Sequence, residues 1–390
     1  MSRNRKLTLL AGALVLALAA GACTSSSKTG GGSAAPPAAS GSQSLKGVCP
    51  DPVVVQSNWL PEAEHGDVYQ LLGPGYRIDA AHKRITGPLM AGGKSTGVQI
   101  EIRAGGPAVG FQPTEAIMYQ DSKITLGMAQ SDELVQYSKT QPLVAVVAPL
   151  DLDPQIIMWD PASHPDWHTI ADIGQTNIKV LYFSGTGTYM EYLIGSGILR
   201  RKQVDGSYDG SPSTFVASGG KIAVQAYATQ EPYQYEHEVK AWNKPVAFQL
   251  VTDTGYPNYA NVLAVRADKK AALAPCLQRL VPIIQQSEVD FMNNPANAID
   301  IIVKVSEAYK TQVAYSRGNA QFGVEQMRRL GIVGNGKDNI LGNFDMDRIQ
   351  RLIDITSPIF TGQKKAIKPN LTPADIVTNE FINPSIALKS

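Results

Sequence analysis

The sequence predicts an α/β chain in two lobes, joined by two crossings and followed by a helical C-terminal region. Three observations carry this. From Pro52 onward, short β-rich runs alternate with helical patterns, as α/β units do. After Ala267 that alternation gives way to one helical pattern after another. At 390 residues the chain is also too long for a single core, so two domains or one two-lobed body is expected. A hydrophobic content of 43% with no fixed glycine or heptad period excludes disorder, collagen and long coiled coil. Lys and Arg total 35 against 34 for Asp and Glu, which argues against a nucleic-acid partner.

Residues 1–22 read as an export signal. Arg3, Arg5 and Lys6 precede a 16-residue uncharged run, 7–22, which is short for a membrane span. The small residues Ala20-Gly21-Ala22 then lead into Cys23. This order resembles a bacterial lipobox, with Ala20 where such signals usually carry Leu, and it marks Cys23 for lipidation. Removing the signal takes away three cations and leaves 32 against 34, a net −2. The protein is expected to be exported and lipid-anchored on the outer face of the bacterial cytoplasmic membrane, touching the membrane through that anchor only. Residues 23–47, rich in Ser, Gly, Ala and Pro, read as a flexible tether spanning roughly 25–30 Å.

In the body, strands are expected at 53–56, 98–103, 124–128, 143–148, 156–159, 179–183, 222–226, 246–251 and 262–266. Helices are expected at 64–72, 113–119, 131–138, 188–196 and 232–240, then at 269–286, 288–292, 296–310, 314–330, 346–356 and 373–380. Two extended apolar runs read as crossings: 145–159, broken by Pro149 and Pro154, and 247–266, interrupted by Gly255-Tyr256-Pro257-Asn258. They divide the chain into a first lobe, 48–150 with 255–390, and a second, 151–254. A lobe inserted into another through two strands makes a hinge with a cleft.

Motifs for enzymatic chemistry are poor. Of the five histidines only His164 and His168 are near each other, and Pro165 between them argues against a shared helical face. The stretch 87–95 imitates a phosphate-binding loop but carries Pro88 where its first glycine belongs. Tyr182 stands where a nucleophile elbow around Ser184 would need Gly. No enzyme activity, metal or cofactor is therefore expected.

What remains are polar groups just past strand ends, where open α/β sheets bind ligands. Asn58, Trp59 and His65 follow the first strand; the indole offers a flat apolar face with one N–H. Ser131 follows the 124–128 strand as a candidate N-cap. Ser184-Gly185-Thr186-Gly187-Thr188 follows 179–183, and Thr188 with Glu191 has capping-box spacing; Ser184, Thr186 and Thr188 are candidate contacts for an anion or acceptor group. Tyr227, Glu231 and Tyr233 follow 222–226, with Pro232 suited to a helix start; they could stack on a ring and accept its N–H groups.

With the lipoprotein start, the loop Trp59-Leu60-Pro61-Glu62-Ala63-Glu64-His65-Gly66 and the turn Gln230-Glu231-Pro232-Tyr233, the chain resembles the solute-binding proteins of ABC importers. It is most similar to the group that binds nitrate, sulfonates or thiamine-pyrimidine precursors, on Trp59, Pro61, His65 and Tyr69; Gln230 replaces an aromatic residue of that group. The resemblance implies a type II periplasmic-binding-protein fold, a small-molecule ligand, and a permease with a cytoplasmic ATPase as partner, the protein itself being a monomer. It also makes 73–95 an insertion. The ligand is left between a nitrogenous, pyrimidine-like ring facing Glu231 and a sulfonate or carboxylate at 184–188. The absence of Arg at a strand end weakens an anion as sole ligand. An iron-dependent pyrimidine synthase of similar fold is set aside, because Cys49 and Cys276 have no Cys-rich company. The alternative function is an envelope sensor or scaffold without transport. Export together with acylation of Cys23 would leave Cys49 and Cys276 as an even pair in a disulfide-permissive compartment, so a bridge between them is expected.

Overall fold

The computed structural model describes residues 37–310 and 315–389. The export segment 1–22, Cys23 and the tether as far as residue 36 lie outside the described residues. The valine run β1 (Val53–Gln56) is buried along its whole length and sits inside a seven-stranded sheet of order β2-β3-β4-β1-β5-β12-β6. Its other members are β2 (Arg77–Asp79), β3 (Arg84–Ala91), β4 (Lys94–Arg103), β5 (Leu126–Ala129), β6 (Leu143–Val147) and β12 (Val262–Arg266). β1 runs parallel to β4 and β5, while β12 is antiparallel to β5 and β6.

A second, five-stranded sheet of order β11-β7-β10-β8-β9 uses only the intervening residues. It comprises β7 (Gln155–Trp159), β8 (Val180–Leu181), β9 (Val204–Asp205), β10 (Ala223–Tyr227) and β11 (Ala247–Leu250). Here β8, β9 and β10 are parallel. Uninterrupted burial along β1, β5, β6 and β7 is what sheets covered on both faces require.

Short helices follow the strands: α1 (Gly66–Gln70), α2 (Thr114–Gln120), α3 (Ser131–Tyr137), α4 (Ile170–Gly174), α5 (Thr188–Gly195), α6 (Ser213–Ala217) and α7 (Glu231–Tyr233). The C-terminal region supplies α8 (Lys270–Asn293), α9 (Ala296–Tyr309), α10 (Arg317–Arg329) and α11 (Met346–Gly362). α11 lies against α3 and α5, and its Leu352 packs into the second lobe's core while Ile349 and Ile353 pack into the first. Among the described residues no helix is long and apolar enough to cross a membrane.

The chain leaves the first sheet after Val147 and returns to it at Val262. The two crossings are tied together. Asn258 Nδ2 donates to Asp153 at 2.8 Å, and Asn258 Oδ1 accepts from Ser131 Oγ at 2.7 Å and the Asp132 amide at 3.1 Å. Arg348 of α11 donates to the carbonyls of Asp151, Pro257 and Asn258 at 2.7, 2.9 and 2.5 Å. One guanidinium therefore binds both crossings, with its plane 3.6 Å from the Tyr259 ring centroid.

Four expectations are corrected. Residues 37–47, expected as tether, are already on the body: Ser95 donates to Pro37, Ala39 to Ser95 and Leu45 to Thr96, and Leu45 is fully buried. The reason is that β4 begins at Lys94 whereas its pairing with β1 begins only at Ile100, leaving backbone groups free for the N-terminal segment. Residues 73–95, where no strand was expected, carry β2 and β3 at the sheet edge; Gly87-Pro88 hid the alternation, and the ladder shifts register between Pro88 and Met90, as suits a proline in a strand. The helices expected at 269–286 and 288–292 are one, α8. Residues 373–380 make only the turn Pro373–Asp375, after which Ile376 and Thr378 bond Ala145 on the open edge of β6. Cys49 and Cys276 are disulfide-bonded, Cα to Cα 4.7 Å, joining the chain ahead of β1 to α8.

Candidate functional site

Loops after β1, β4 and β5 in the first lobe and after β8, β9 and β10 in the second line one cavity of about 340 Å³. Placement at strand carboxyl ends, between two lobes, is where α/β folds hold ligands, and the volume suits a small molecule.

The apolar part is aromatic. Trp59 follows β1, and Gly106, at φ +57°, lies so close that a Cβ there would come 2.5 Å from the indole. Phe111, in the same loop after β4, stands with its ring centroid 5.9 Å from Trp59 and 5.4 Å from Phe183 of the second lobe. It is 49% exposed and held at φ 59°. Tyr208 and Tyr227 add two more rings from the second lobe.

The polar part is acidic. Glu62, Glu133, Asp209 and Glu231 line the cavity, and among the described residues no Lys or Arg does. Burial pushes the Glu62 carboxyl well above its ordinary range, with Glu64 and Glu231 adding to the effect. Burial likewise carries Glu231 to about 7, Glu64 contributing, and Glu133 to about 7, Asp132 contributing. His65 is 1% exposed; burial pulls it down to about 4, so its ring is neutral at pH 7. The ring donates to the Leu60 carbonyl and Nδ1 has no partner. The neutral tautomer thus donates through Nε2 and leaves an acceptor lone pair on Nδ1.

Several of these groups already meet across the cleft. Thr229 donates to Glu64, and Gln230, with its amide nitrogen turned towards Glu62, reaches both carboxyl oxygens at 3.0 and 3.1 Å. Gln130 Nε2 donates to the Tyr227 hydroxyl at 3.3 Å. Within the second lobe the Tyr227 amide donates to Glu231 at 2.7 Å, and within the first Asn58 donates to Asn261 at 2.8 Å.

Of the residues singled out in the sequence, Asn58, Trp59, His65, Tyr227 and Glu231 line this cavity. Others stand elsewhere. Ser131 is buried as the first residue of α3, behind the N-cap Gln130, and bonds Asn258 and the Tyr259 amide. Ser184 is exposed in the turn Ser184–Thr186, which also contains Thr186; Phe183 and Gly185 face the cavity there. Thr188 is the first residue of α5 behind the N-cap Gly187, and Glu191 pairs with Arg201, so the expected capping box is not formed. Tyr233 packs on His237 and on Phe322 of α10, centroids 4.6 and 5.5 Å away. The residues not singled out are Glu62, Phe111, Glu133, Phe183, Tyr208 and Asp209. Glu62 and Glu133 stood in the loops already in view, and their acidity beside apolar neighbours was the usable signal. Among the described residues no group of three or more His, Cys, Asp or Glu could hold a metal ion.

Two α/β lobes, two crossings and a cleft between them define the fold of the periplasmic binding proteins. Among solved structures, the chain is similar to the periplasmic aliphatic sulphonate binding protein of Escherichia coli, at TM-score 0.52 and 12% identity over 88% of this chain and 95% of that one. It is similar to the alkanesulfonate-binding protein of Xanthomonas axonopodis pv. citri bound to MOPS, at TM-score 0.51 and 12% identity over 85% and 99%. A protein of Bordetella bronchiseptica RB50 gives TM-score 0.52 and 14% identity over 85% and 96%. No protein-family model matches the chain, and no curated protein sequence matches it.

Proposed function

We propose that the chain is an extracytoplasmic solute-binding lipoprotein of an ABC importer, without enzymatic activity. It captures a small molecule between its lobes and delivers it to a permease with a cytoplasmic ATPase. The observation that carries this reading is a single cavity whose walls come from strand ends of both lobes, beside two crossings that let the lobes move. Lipid attachment at Cys23 rests on the sequence of the export signal, and the fold shared with binding proteins of Escherichia coli and Xanthomonas supports the transport role. Mass spectrometry of the protein purified from exporting cells is expected to find a bound small molecule. Returning that molecule to the emptied protein is expected to contract it in small-angle scattering. A protein that carries nothing, and whose scattering stays unchanged with the small-molecule fraction of those cells, contradicts the reading.

A further inference from the structure

The cavity is lined by four carboxyl groups and by aromatic rings, and among the described residues no Lys or Arg joins its lining. The carboxyls come from both sides: Glu62 and Glu133 from the first lobe, Asp209 and Glu231 from the second. An anion entering here would find no Lys or Arg among the described residues of the lining to receive it; the cation that acts on Glu133 is Lys365, which donates to Gln136 of the lining at 2.8 Å. His65, a residue of the same lining, adds an independent observation: its Nδ1 is buried and has no partner among the described residues. That atom calls for an N–H or O–H donor. The carboxylates are also only partly used: Glu231 accepts from the Tyr227 amide through Oε2, and Glu133 from the Gln130 amide through Oε2. Trp59, Phe111 and Phe183 present ring faces, which attract cations and stack on planar groups.

We propose that the cavity takes an organic cation with at least two N–H donors on a planar or aromatic body, an amidine, guanidine or protonated amine, rather than a sulfonate or carboxylate. The assignment rests on the solute-capture reading above and departs from the sulfonates named for the similar structures. Its charge logic makes a second mark. In the ligand-free cavity burial holds carboxyl protons on Glu62, Glu133 and Glu231, and a bound cation restores the carboxylates, so binding releases protons. A bound anion would draw protons in.

The test is a calorimetric titration with a matched panel: benzamidinium, benzylammonium and phenylguanidinium, against benzamide, benzoate and benzenesulfonate. Repeating it in two buffers of different ionisation enthalpy gives the sign of proton exchange. Binding confined to the cations, with proton release, is expected. Glu231→Gln should weaken it about 10- to 100-fold, the loss of a charge-assisted bond. Glu62→Gln is the second variant should Glu231→Gln fail to fold. Binding by the anions, or proton uptake on binding a cation, overturns the ligand class and leaves solute capture standing. Binding by no member overturns the ligand class, while solute capture itself is decided by the mass spectrometry and scattering described above.

Discussion

Phe111 is the residue on which cavity and backbone make opposite demands. Its ring spans from Trp59 in its own lobe to Phe183 in the other, yet half of it faces solvent and its backbone sits at φ 59°. Each tilted ring pair contributes about 0.5–1.5 kcal/mol beyond the area covered, and since only the Phe111–Phe183 pair joins the lobes, the ring holds them together by about that much. The left-handed backbone costs roughly 1–2 kcal/mol for any residue with a Cβ. Phe111→Gly removes that strain and incurs about 0.5–1 kcal/mol of extra chain entropy, whereas Phe111→Ala keeps the strain and loses the ring. The glycine variant should therefore be more stable than the alanine variant by up to about 1 kcal/mol in urea unfolding. Both should bind the co-purified solute about 10- to 100-fold more weakly in calorimetry. Unchanged affinity in both, or a glycine variant less stable than the alanine variant, refutes the reasoning.

The ligand-free protein should lose stability between about pH 4.5 and 7. Glu231 and Glu133 hold their protons to about 7 in the fold and release them near 4.5 when unfolded, so the folded state binds more protons between those values and stability falls as pH rises through them. His65, lowered to about 4 from 6.5, acts with the opposite sign between its own two values and offsets part of the loss; thermal melts should flatten in Glu231→Gln with Glu133→Gln, and an unaltered slope counts against the buried acids. Serine at Cys49 and Cys276 opens a bridge across 227 residues, for which chain entropy sets an upper figure of about 5 kcal/mol; denaturant midpoints that match with and without reductant would contradict it. Arg348→Lys keeps the charge but not a fork able to serve three carbonyls, and should destabilise by about 1.5–3 kcal/mol in urea; a wild-type midpoint would show that the clasp is idle.

Much of this layout is visible in the sequence because strands buried on both faces leave apolar runs of four to six residues. The runs at 53–56, 143–148 and 262–266 are of that kind. The same property exposes Asn58, Trp59, Tyr227 and Glu231, which follow a run directly and which the structure turns into one cavity. Phe111 was hidden because seven residues separate it from the end of β4, in a loop with no period to count along. Ser131 and Glu133, or Ser184 and Phe183, could not be ranked from spacing alone. Which of two neighbours faces a cleft depends on how a helix start is rotated, and that is set by Asn258 and Tyr259, more than 120 residues away. The packing of 37–47 was hidden for a related reason: a mostly polar segment is held by the unpaired end of β4 and by the single buried side chain of Leu45.

Asn258 has one more consequence. Its amide nitrogen, besides holding Asp153, lies 3.4 Å from Oε1 of Gln130, whose own nitrogen touches Tyr227 inside the cavity. The pivot and the ligand chamber therefore share a side chain two bonds deep. A solute that displaces the Tyr227 hydroxyl from Gln130 frees that amide to shift, and the shift arrives at the pivot without passing through either sheet. Under the proposed solute capture, loading and bending would thus be coupled through this one amide.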